Sequence, residues 1–366
     1  MRLTLCLLLL GLCFSVNAQQ PAKSSLEYSV FLIGDAGEYK KNRDKVLSVA
    51  AAQLRDAGEH SAVIFLGDNI YKKGLPSETH PERNYMEGKL TPQLDVIKNA
   101  SGRGFIVPGN HDWDAAKEKG LEAVNRQEAF TKEYVGSVDA FYPKNGCPGP
   151  VKFILSDQVI LALIDSQWPL HKFEKTTTGC ENRTWEHSLN ALKEIATANR
   201  DKTLIVAAHH PIYTYGSHAG ILPLTAHIFP LAEISPVFYL LPLPILGSIY
   251  PIMRKANGNV QDVTGKKNKA VMNPLREVLE NHPNAIHVAG HEHALEHIVS
   301  NNVNYIVSGS GSKTEFVKEK KLAKYAKAEN GFSRINFYAD GETWLEFWIF
   351  NKQNPEGLLD YEVKLK

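Results

Sequence analysis

The hydrophobic pattern of the chain contains five short apolar runs, each with the length of a buried β-strand. Each run is followed at once, or after one or two glycine or proline residues, by an aspartate, asparagine or histidine. Near-continuous apolar runs are typical of parallel strands that are buried on both faces. The pattern therefore predicts five strands that each present a polar side chain at the carboxyl end. The runs are residues 28–33, 62–66, 104–107, 204–208 and 285–289.

One helix-like stretch lies between the first two runs. Residues 42–57 carry apolar side chains at Val46, Val49 and Leu54, which is the spacing of one helix face. A strand, a helix and a strand in succession predict a βαβ unit with parallel strands. These elements and five later strand-like runs predict an α/β (α+β) fold, a four-layer αββα sandwich in which two mixed sheets pack face to face. The later runs are residues 151–155, 159–164, 303–307, 332–338 and 343–350.

Residues 228–253 depart from this pattern, because they are strongly apolar and yet carry five prolines. Proline removes a backbone donor and clashes with the preceding turn, so we expect no regular helix in this insertion. Its composition is too apolar for disorder. Two interpretations stay open: an ordered insertion buried against the domain or a partner, and a loop that caps the substrate or contacts a membrane surface. The prolines are Pro230, Pro236, Pro242, Pro244 and Pro251.

The first residues have the composition of a secretory signal. Arg2 precedes an apolar run at 3–16, which ends in Val16-Asn17-Ala18. A transmembrane anchor is the alternative, but the run is short for a bilayer and no stop-transfer charges follow it. We therefore expect a signal peptide at 1–18, a linker at 19–26, one large domain at 27–352 and a C-terminal tail at 353–366.

Composition adds little beyond this division. In the 366 residues, 43% are hydrophobic, 22% are charged and the formal net charge is +1, so nothing calls for a nucleic-acid partner. Cys6 and Cys13 would leave with the signal, and Cys147 and Cys180 would remain. A disulfide between them is the natural expectation in an oxidising compartment, with two unpaired thiols as the alternative. Neither cysteine has a metal-ligand spacing.

Six polar residues at the strand ends form a set that suits two metal ions. Open α/β sheets gather ligand sites where parallel strands end. Carboxylates are hard donors that can bridge two ions, imidazoles supply nitrogen, and an amide adds a neutral oxygen. With only two carboxylates the cluster stays net positive, so it would attract a phosphate dianion and acidify a bound water. The six are Asp35, Asp68, Asn110, His209, His291 and His293.

Five motif blocks around these residues carry a family resemblance. Their order, spacing and context across roughly residues 28 to 350 resemble the calcineurin-like metallophosphoesterase superfamily. The tyrosine in Gly-Asp-x-x-Tyr is similar to that of the purple acid phosphatases, and the small, tartrate-resistant type is closest. The blocks are Gly34-Asp35-Ala36-Gly37, Gly67-Asp68-Asn69-Ile70-Tyr71, Gly109-Asn110-His111-Asp112, Ala208-His209-His210-Pro211 and Gly290-His291-Glu292-His293.

The resemblance implies a site with two metal ions, Fe(III) and a divalent ion that is iron, zinc or manganese. Tyr71 would bind the ferric ion as a phenolate, and Asp68 would bridge the two ions. Asp35 and His293 would complete the first ion's ligands. The second ion would be held by Asn110, His209 and His291.

The resemblance also implies residues that act on the substrate. His111 and His218 would face it, and His218 lies nine residues after His209, as the substrate-side histidine does in that family. As an imidazolium, His218 could protonate the leaving alkoxide. Asp112 would orient the imidazole of His111.

Two features depart from the family pattern and leave the substrate open. His210 stands where an aromatic residue is usual, and the insertion at 228–253 has no evident counterpart. The resemblance implies a catalytic domain at 27–352 that hydrolyses phosphate monoesters by metal-bound hydroxide, as an acid phosphatase does. The expected signal peptide indicates a secreted or exported protein, whether extracellular, periplasmic or lysosome-like, with membrane association as a further possibility. The alternatives are a phosphodiesterase or nucleotide phosphohydrolase on the same scaffold, and a membrane-associated metal-binding interaction protein without useful catalysis.

Overall fold

Thirteen strands and eight helices form the described part of the computed structural model, which covers residues 24–38, 45–136, 139–229, 243–320 and 322–366. The strands are β1 (Leu26–Ile33), β2 (Ser61–Phe65), β3 (Arg103–Ile106), β4 (Val151–Ser156), β5 (Val159–Leu163), β6 (Thr203–Ala207), β7 (Ala285–Ala289), β8 (Leu295–Ser300), β9 (Val303–Ser308), β10 (Ala323–Lys327), β11 (Asn330–Tyr338), β12 (Thr343–Phe350) and β13 (Leu358–Lys364). The helices are α1 (Lys45–Ala57), α2 (Arg83–Lys98), α3 (Gly120–Val135), α4 (Gln167–Leu170), α5 (Trp185–Ala198), α6 (Leu224–Ile228), α7 (Pro244–Asn257) and α8 (Lys266–Glu280).

The strands make two mixed sheets. The six-stranded sheet has the order β13-β12-β11-β1-β2-β3, and the seven-stranded sheet has the order β10-β8-β9-β7-β6-β5-β4. In the first sheet β1, β2 and β3 are parallel, and in the second β5, β6, β7 and β9 are parallel. The parallel strands lie on one side of the first sheet and at the centre of the second, and antiparallel strands complete both sheets.

Burial follows the alternation of side chains along these strands. In β1, Val30 and Leu32 face the second sheet, whereas Phe31 and Ile33 face the helices α1 and α2. A third apolar cluster packs the outer face of the second sheet against α5 and α8, with Leu192 and other fully buried side chains. Both faces of the central strands are therefore buried, as their continuous apolar runs predict. The predicted four-layer αββα architecture is confirmed.

The insertion contains part of a helix, although its proline content predicted none. Our expectation of no regular helix in 228–253 is wrong for its last part, because α7 begins at Pro244 and continues through Pro251. Pro244 lies in the first turn, where backbone N–H groups have no helical partner, and Pro251 removes only one helical hydrogen bond. Residues 230–242 lie outside the described residues.

The C-terminal end of the chain also differs from the expected division. The segment 353–366, expected as a tail, contains β13, which pairs with β12 and extends the first sheet to Lys364. The predicted signal peptide lies outside the described residues, as does most of the predicted linker. No helix in the described part of the chain has both the length and the hydrophobicity needed to cross a membrane.

The two cysteines expected to pair are bonded to each other. Cys147 and Cys180 form a disulfide with a Cα–Cα distance of 5.6 Å. The bond connects the loop before β4 to the loop before α5. The predicted disulfide is confirmed, and the alternative of two unpaired thiols is excluded.

Candidate metal centre

The polar residues predicted at strand ends meet at one edge of the sandwich. Asp35, Asp68 and Asn110 follow β1, β2 and β3 of the first sheet, and His209 and His291 follow β6 and β7 of the second. Because these strands are parallel within each sheet, their carboxyl ends lie side by side. The site is therefore built from both sheets. Its seven predicted ligand residues, including Tyr71 and His293, are each at most 8% exposed.

Three of these side chains form a first group of donors, here called trio one: Asp35, Tyr71 and His293. The phenol oxygen of Tyr71 lies 2.7 Å from Oδ1 of Asp35 and 3.1 Å from Nε2 of His293. Nε2 of His293 lies 3.4 Å from the same Asp35 oxygen. An anionic oxygen, a phenol oxygen and an imidazole nitrogen thus converge on one point.

Asn110, His209 and His291 form a second group, here called trio two. Oδ1 of Asn110 lies 3.0 Å from Nε2 of His209 and 3.0 Å from Nδ1 of His291. The two imidazole nitrogens are 3.1 Å apart. An amide oxygen and two imidazole nitrogens are suitable ligands for a borderline divalent ion.

Asp68 lies between the two trios. Its Oδ1 is 3.4 Å from Nε2 of His209 in trio two, and its carboxylate also raises the pKa of Tyr71 in trio one. Oxygen and nitrogen atoms of Asp35, Asp68 and His209 come within 4.8 Å of one another. A carboxylate in this position can contact two adjacent ions.

Hydrogen bonds behind the histidines fix which nitrogen faces the site. Nδ1 of His209 lies 2.8 Å from the carbonyl oxygen of Leu66, and Nε2 of His291 lies 2.8 Å from that of Gln261. A carbonyl oxygen only accepts, so these nitrogens carry the hydrogens. In the neutral rings, the opposite nitrogens then point lone pairs at the oxygen of Asn110. These two nitrogens and the amide oxygen therefore face one another with lone pairs and no hydrogen between them, which is a repulsive arrangement. A cation bound by all three atoms would remove the repulsion, so the residues fit a metal ion.

In trio one, the ring of His293 is also held by a hydrogen bond on the side away from the other donors. Nδ1 of His293 lies 2.7 Å from Oε1 of Glu315. Burial lowers the pKa of His293, but hydrogen bonds to Asp35 and Glu315 outweigh it and raise the pKa to about 9. A cation at trio one therefore competes with a proton for Nε2.

Local backbone geometry brings these side chains close together. Asp35, Asp68 and His291 adopt positive φ angles of 57°, 53° and 69°, a region that residues other than glycine seldom occupy. A Cβ atom on Gly109 would lie 2.3 Å from Oδ1 of Asp68, and one on Gly290 would lie 2.5 Å from Oδ2 of Asp35. The glycines in the motif blocks therefore leave room for the carboxylates.

Electrostatics inside the site favour the ionised carboxylate of Asp68 and the neutral imidazole of His291. Burial opposes ionisation of Asp68, but His209 and His111 outweigh it and hold the pKa of that carboxyl below its ordinary value. Burial and the neighbouring imidazoles of His218, His210 and His209 hold the pKa of His291 well below its ordinary value. A deprotonated carboxylate and a neutral imidazole are the forms that bind metals.

His111 lies at the mouth of the site, but Asp112 does not orient it. Nδ1 of His111 lies 2.7 Å from the carbonyl oxygen of Lys72, and its ring packs 4.5 Å from that of Tyr71. The buried carboxylate of Asp112 points away and accepts hydrogen bonds from backbone N–H groups, including those of Asn69 and Gly109. The predicted orienting role of Asp112 is wrong. Its side chain anchors the loops after β2 and β3 instead.

His218 is the second predicted substrate histidine, and it lies beside trio two. Its ring centroid is 3.9 Å from that of His291. Its backbone N–H donates to Oε2 of Glu292, which also lies within 3.0 Å of the hydroxyl of Thr214. Glu292 therefore holds the turn that carries His218.

His210, which departs from the family pattern, is a buried structural residue. Nδ1 lies 2.9 Å from the hydroxyl of Ser166, and Nε2 lies 2.6 Å from Oε1 of Gln261. Burial lowers the pKa of His210 to about 3, so the ring is neutral. Both nitrogens are engaged with protein, which leaves neither for an ion.

Sequence reasoning missed three residues that support the site: Asp262, Glu292 and Glu315. Glu292 lies inside a motif block, between two predicted ligands, and that position was its only signal. Oε1 of Glu315 lies 2.7 Å from Nδ1 of His293, and Oδ1 of Asp262 lies 3.0 Å from Nδ1 of His218. Both lie outside the motif blocks, so no local pattern distinguishes them from surface carboxylates.

Comparisons with known proteins agree with this geometry. Residues 28–309 match the family model described as calcineurin-like phosphoesterase. "Purple acid phosphatase 3" of Arabidopsis thaliana is 22% identical over 344 residues, which cover 90% of this chain and 74% of that protein.

Two solved structures share the fold. One is described as "GAP50 the anchor in the inner membrane complex of Plasmodium" and superposes with a TM-score of 0.55 at 15% identity, over 93% of this chain and 89% of that one. The other is purple acid phosphatase PPD1 from seeds of yellow lupin (Lupinus luteus), with a TM-score of 0.54 at 13% identity, over 93% of this chain and 54% of that one. At these identities the matches show the fold alone.

Proposed function

The chain belongs to the calcineurin-like phosphoesterase family, and we propose that within it the protein is a dinuclear phosphatase that hydrolyses phosphate monoesters. The protein is a metal-dependent phosphoesterase, and its family binds two metal ions. The observation that carries the proposal is the pair of donor trios with Asp68 between them. A single ion would not need donors on both sides of Asp68.

The chemistry of each trio supports a different ion. Trio one, with the carboxylate of Asp35 and the phenol of Tyr71, offers hard oxygen donors that suit Fe(III). Trio two, with His209 and His291 beside an amide oxygen, suits a divalent ion, which we propose to be iron, zinc or manganese. Asp68 would bridge the two. When bound, the ions supply positive charge that draws a phosphate dianion and acidity that makes water a nucleophile.

The chain's own residues would orient the ester and return a proton to the leaving group. In the step we propose, a water oxygen bonds to phosphorus while the bond from phosphorus to the ester oxygen breaks, and that bond's electron pair stays on the leaving oxygen. His218 donates a proton to this oxygen, which leaves as an alcohol. The attacking water gives up one proton to solvent, and His218 takes one proton back from solvent, so the protons balance and the products are an alcohol and inorganic phosphate. His111, at the other side of the mouth, would bind the phosphate oxygens.

The proposal also covers the compartment of the protein and the contact of its insertion with a membrane. The disulfide fits an oxidising compartment, which supports export of the mature chain. We propose that the insertion, together with the adjoining helix α6, contacts a membrane surface, because apolar side chains of both α6 and α7 are exposed, among them Leu224 at 73% and Ile252 at 62%. Flotation with liposomes tests this contact: Leu224→Ser with Ile252→Ser should weaken binding, and equal flotation of variant and wild type would oppose it.

Metal reconstitution tests the proposed activity. Protein stripped with a chelator should regain hydrolysis of p-nitrophenyl phosphate when iron and zinc are restored together, with two ions bound per chain. A bis-ester assayed in parallel separates a monoesterase from a phosphodiesterase. Faster turnover of the bis-ester would replace the monoester proposal, and full activity with one ion per chain would contradict the dinuclear site.

A further inference from the structure

His218 directs one of its ring nitrogens at a buried carboxylate. Nδ1 lies 3.0 Å from Oδ1 of Asp262, and the side chain is 17% exposed. No protein partner of Nε2 is found among the described residues. A carboxylate oxygen that accepts from Nδ1 fixes the ring orientation and the tautomer, as the aspartate of a catalytic triad does.

Asp262 is itself fixed by surrounding donors. It is fully buried, and Arg254 of α7 donates to both of its oxygens, at 3.1 Å from Nε to Oδ2 and 2.8 Å from Nη2 to Oδ1. The backbone N–H of Asn259 donates to Oδ2 at 2.9 Å. Burial alone would raise the pKa of Asp262, but the hydrogen bonds from His218 and Arg254 lower it to about 2. The carboxylate is therefore ionised and held in one orientation.

The segment that carries Asp262 also contacts the site through its backbone. The carbonyl oxygen of Gln261 accepts from Nε2 of His291, and the N–H of Val263 donates to the carbonyl oxygen of His218 at 3.0 Å. This segment directly follows α7, whose first part belongs to the insertion. The insertion is thus joined to trio two and to His218 at the same place.

We propose that Asp262 is a positioning residue that aims Nε2 of His218 at the leaving oxygen of the ester. The proposal rests on the proposed phosphatase function. Asp262 lies in the loop between α7 and α8, 44 residues after His218, and among the described residues it makes no hydrogen bond to a predicted metal ligand. It acts through His218 alone, so its loss should matter only where protonation of the leaving group limits the rate.

Two substrates and a double-mutant cycle test this role. An alkoxide leaving group, as in glycerol phosphate, needs the proton, whereas p-nitrophenolate leaves without it. Asp262→Asn should lower kcat on glycerol phosphate by about 10- to 100-fold and on p-nitrophenyl phosphate by less than about 5-fold, with KM nearly unchanged. In a His218→Ala background, Asp262→Asn should cause less than about 2-fold further loss.

Controls separate positioning from general damage. Metal content and thermal unfolding are measured for each variant, and Asp157→Asn, an exposed carboxylate in the β4–β5 turn, should leave both activities unchanged. If Asp262→Asn does not bind two ions, Asp262→Glu keeps the charge beside Arg254 and should show the same selective loss. Equal losses on both substrates, or additive losses in the cycle, would overturn the proposal. An inactive wild type with two bound ions would instead overturn the phosphatase function.

Discussion

The phenol oxygen of Tyr71 donates a 2.7 Å hydrogen bond to Oδ1 of Asp35. The two residues follow different strands, and both are almost completely buried. Burial, and the charges of Asp35 and Asp68, hold the pKa of Tyr71 well above its ordinary value. The two carboxylates that raise this pKa would also attract a metal cation in place of the proton, and in the proposed function that cation is Fe(III).

The first prediction concerns colour. A tyrosinate on ferric iron gives a visible charge-transfer band, so iron-loaded wild type should be pink to purple. Tyr71→Phe should lose the band and cost only about 1 kcal/mol of unfolding free energy, because one hydroxyl and its hydrogen bond are removed. The absorption spectrum and a urea titration measure both effects.

Tyr305→Phe is the matched control, since the buried hydroxyl of Tyr305 has no hydrogen-bond partner among the described residues. It should keep the band. Colour that survives Tyr71→Phe, or colourless wild type with iron at both trios, would place the chain outside the purple phosphatases and leave dinuclear hydrolysis standing.

Six of the seven proposed ligands could be predicted from the strand pattern because each lies beyond the end of a buried strand, whereas Tyr71 was predicted from the family resemblance alone. Asp68 comes two residues after a run whose apolar continuity marks it as central, and parallel strands bring such ends together. The supporting carboxylates could not be predicted, because Asp262 and Glu315 reach the site from loops distant in sequence. The strand β8 was missed for a related reason: Glu296 and His297 are polar and yet buried, so its hydrophobic pattern is broken.

Glu296 leads to a prediction about pH. The hydroxyl of Thr214 lies 2.6 Å from Oε1 of Glu296 and 3.0 Å from Oε2 of Glu292. One hydroxyl has one hydrogen, so it donates to one carboxyl and accepts from the other, which is then protonated. Burial, followed by the charge of Glu292, raises the pKa of Glu296 from 4.5 to about 8. The folded state therefore binds a proton that the unfolded state releases near pH 4.5.

This contribution to stability is fully present below about pH 4.5 and is lost as the pH rises through about 8. The unfolding free energy of wild type should fall across that window, and Glu296→Gln should flatten the decline. Urea unfolding at several pH values measures it, with exposed Glu194→Gln as the control. An unchanged pH profile in Glu296→Gln would show that Glu296 is ionised in the folded protein.

The disulfide gives a prediction about stability. Cys147 and Cys180 are 33 residues apart, so their bond restricts a sizeable loop in the unfolded chain. Replacing both with serine should lower the unfolding free energy by about 2–4 kcal/mol. Metal content should be unchanged, because no hydrogen bond between either cysteine and a residue of the two trios is found in the described part of the chain. Peptide mapping of unreduced wild type that recovered both cysteines as free thiols would contradict the structure.

The central claim is that two ions share Asp68 and that together they make a phosphatase. Its most direct test measures metal content and p-nitrophenyl phosphate hydrolysis in the same samples of wild type and Asp68→Ala. We predict two ions per chain and turnover in wild type, and in the folded variant a loss of bound metal with hydrolysis at the level of chelator-stripped protein. Full metal occupancy in Asp68→Ala, or two bound ions in a wild type no more active than the variant, would contradict the account.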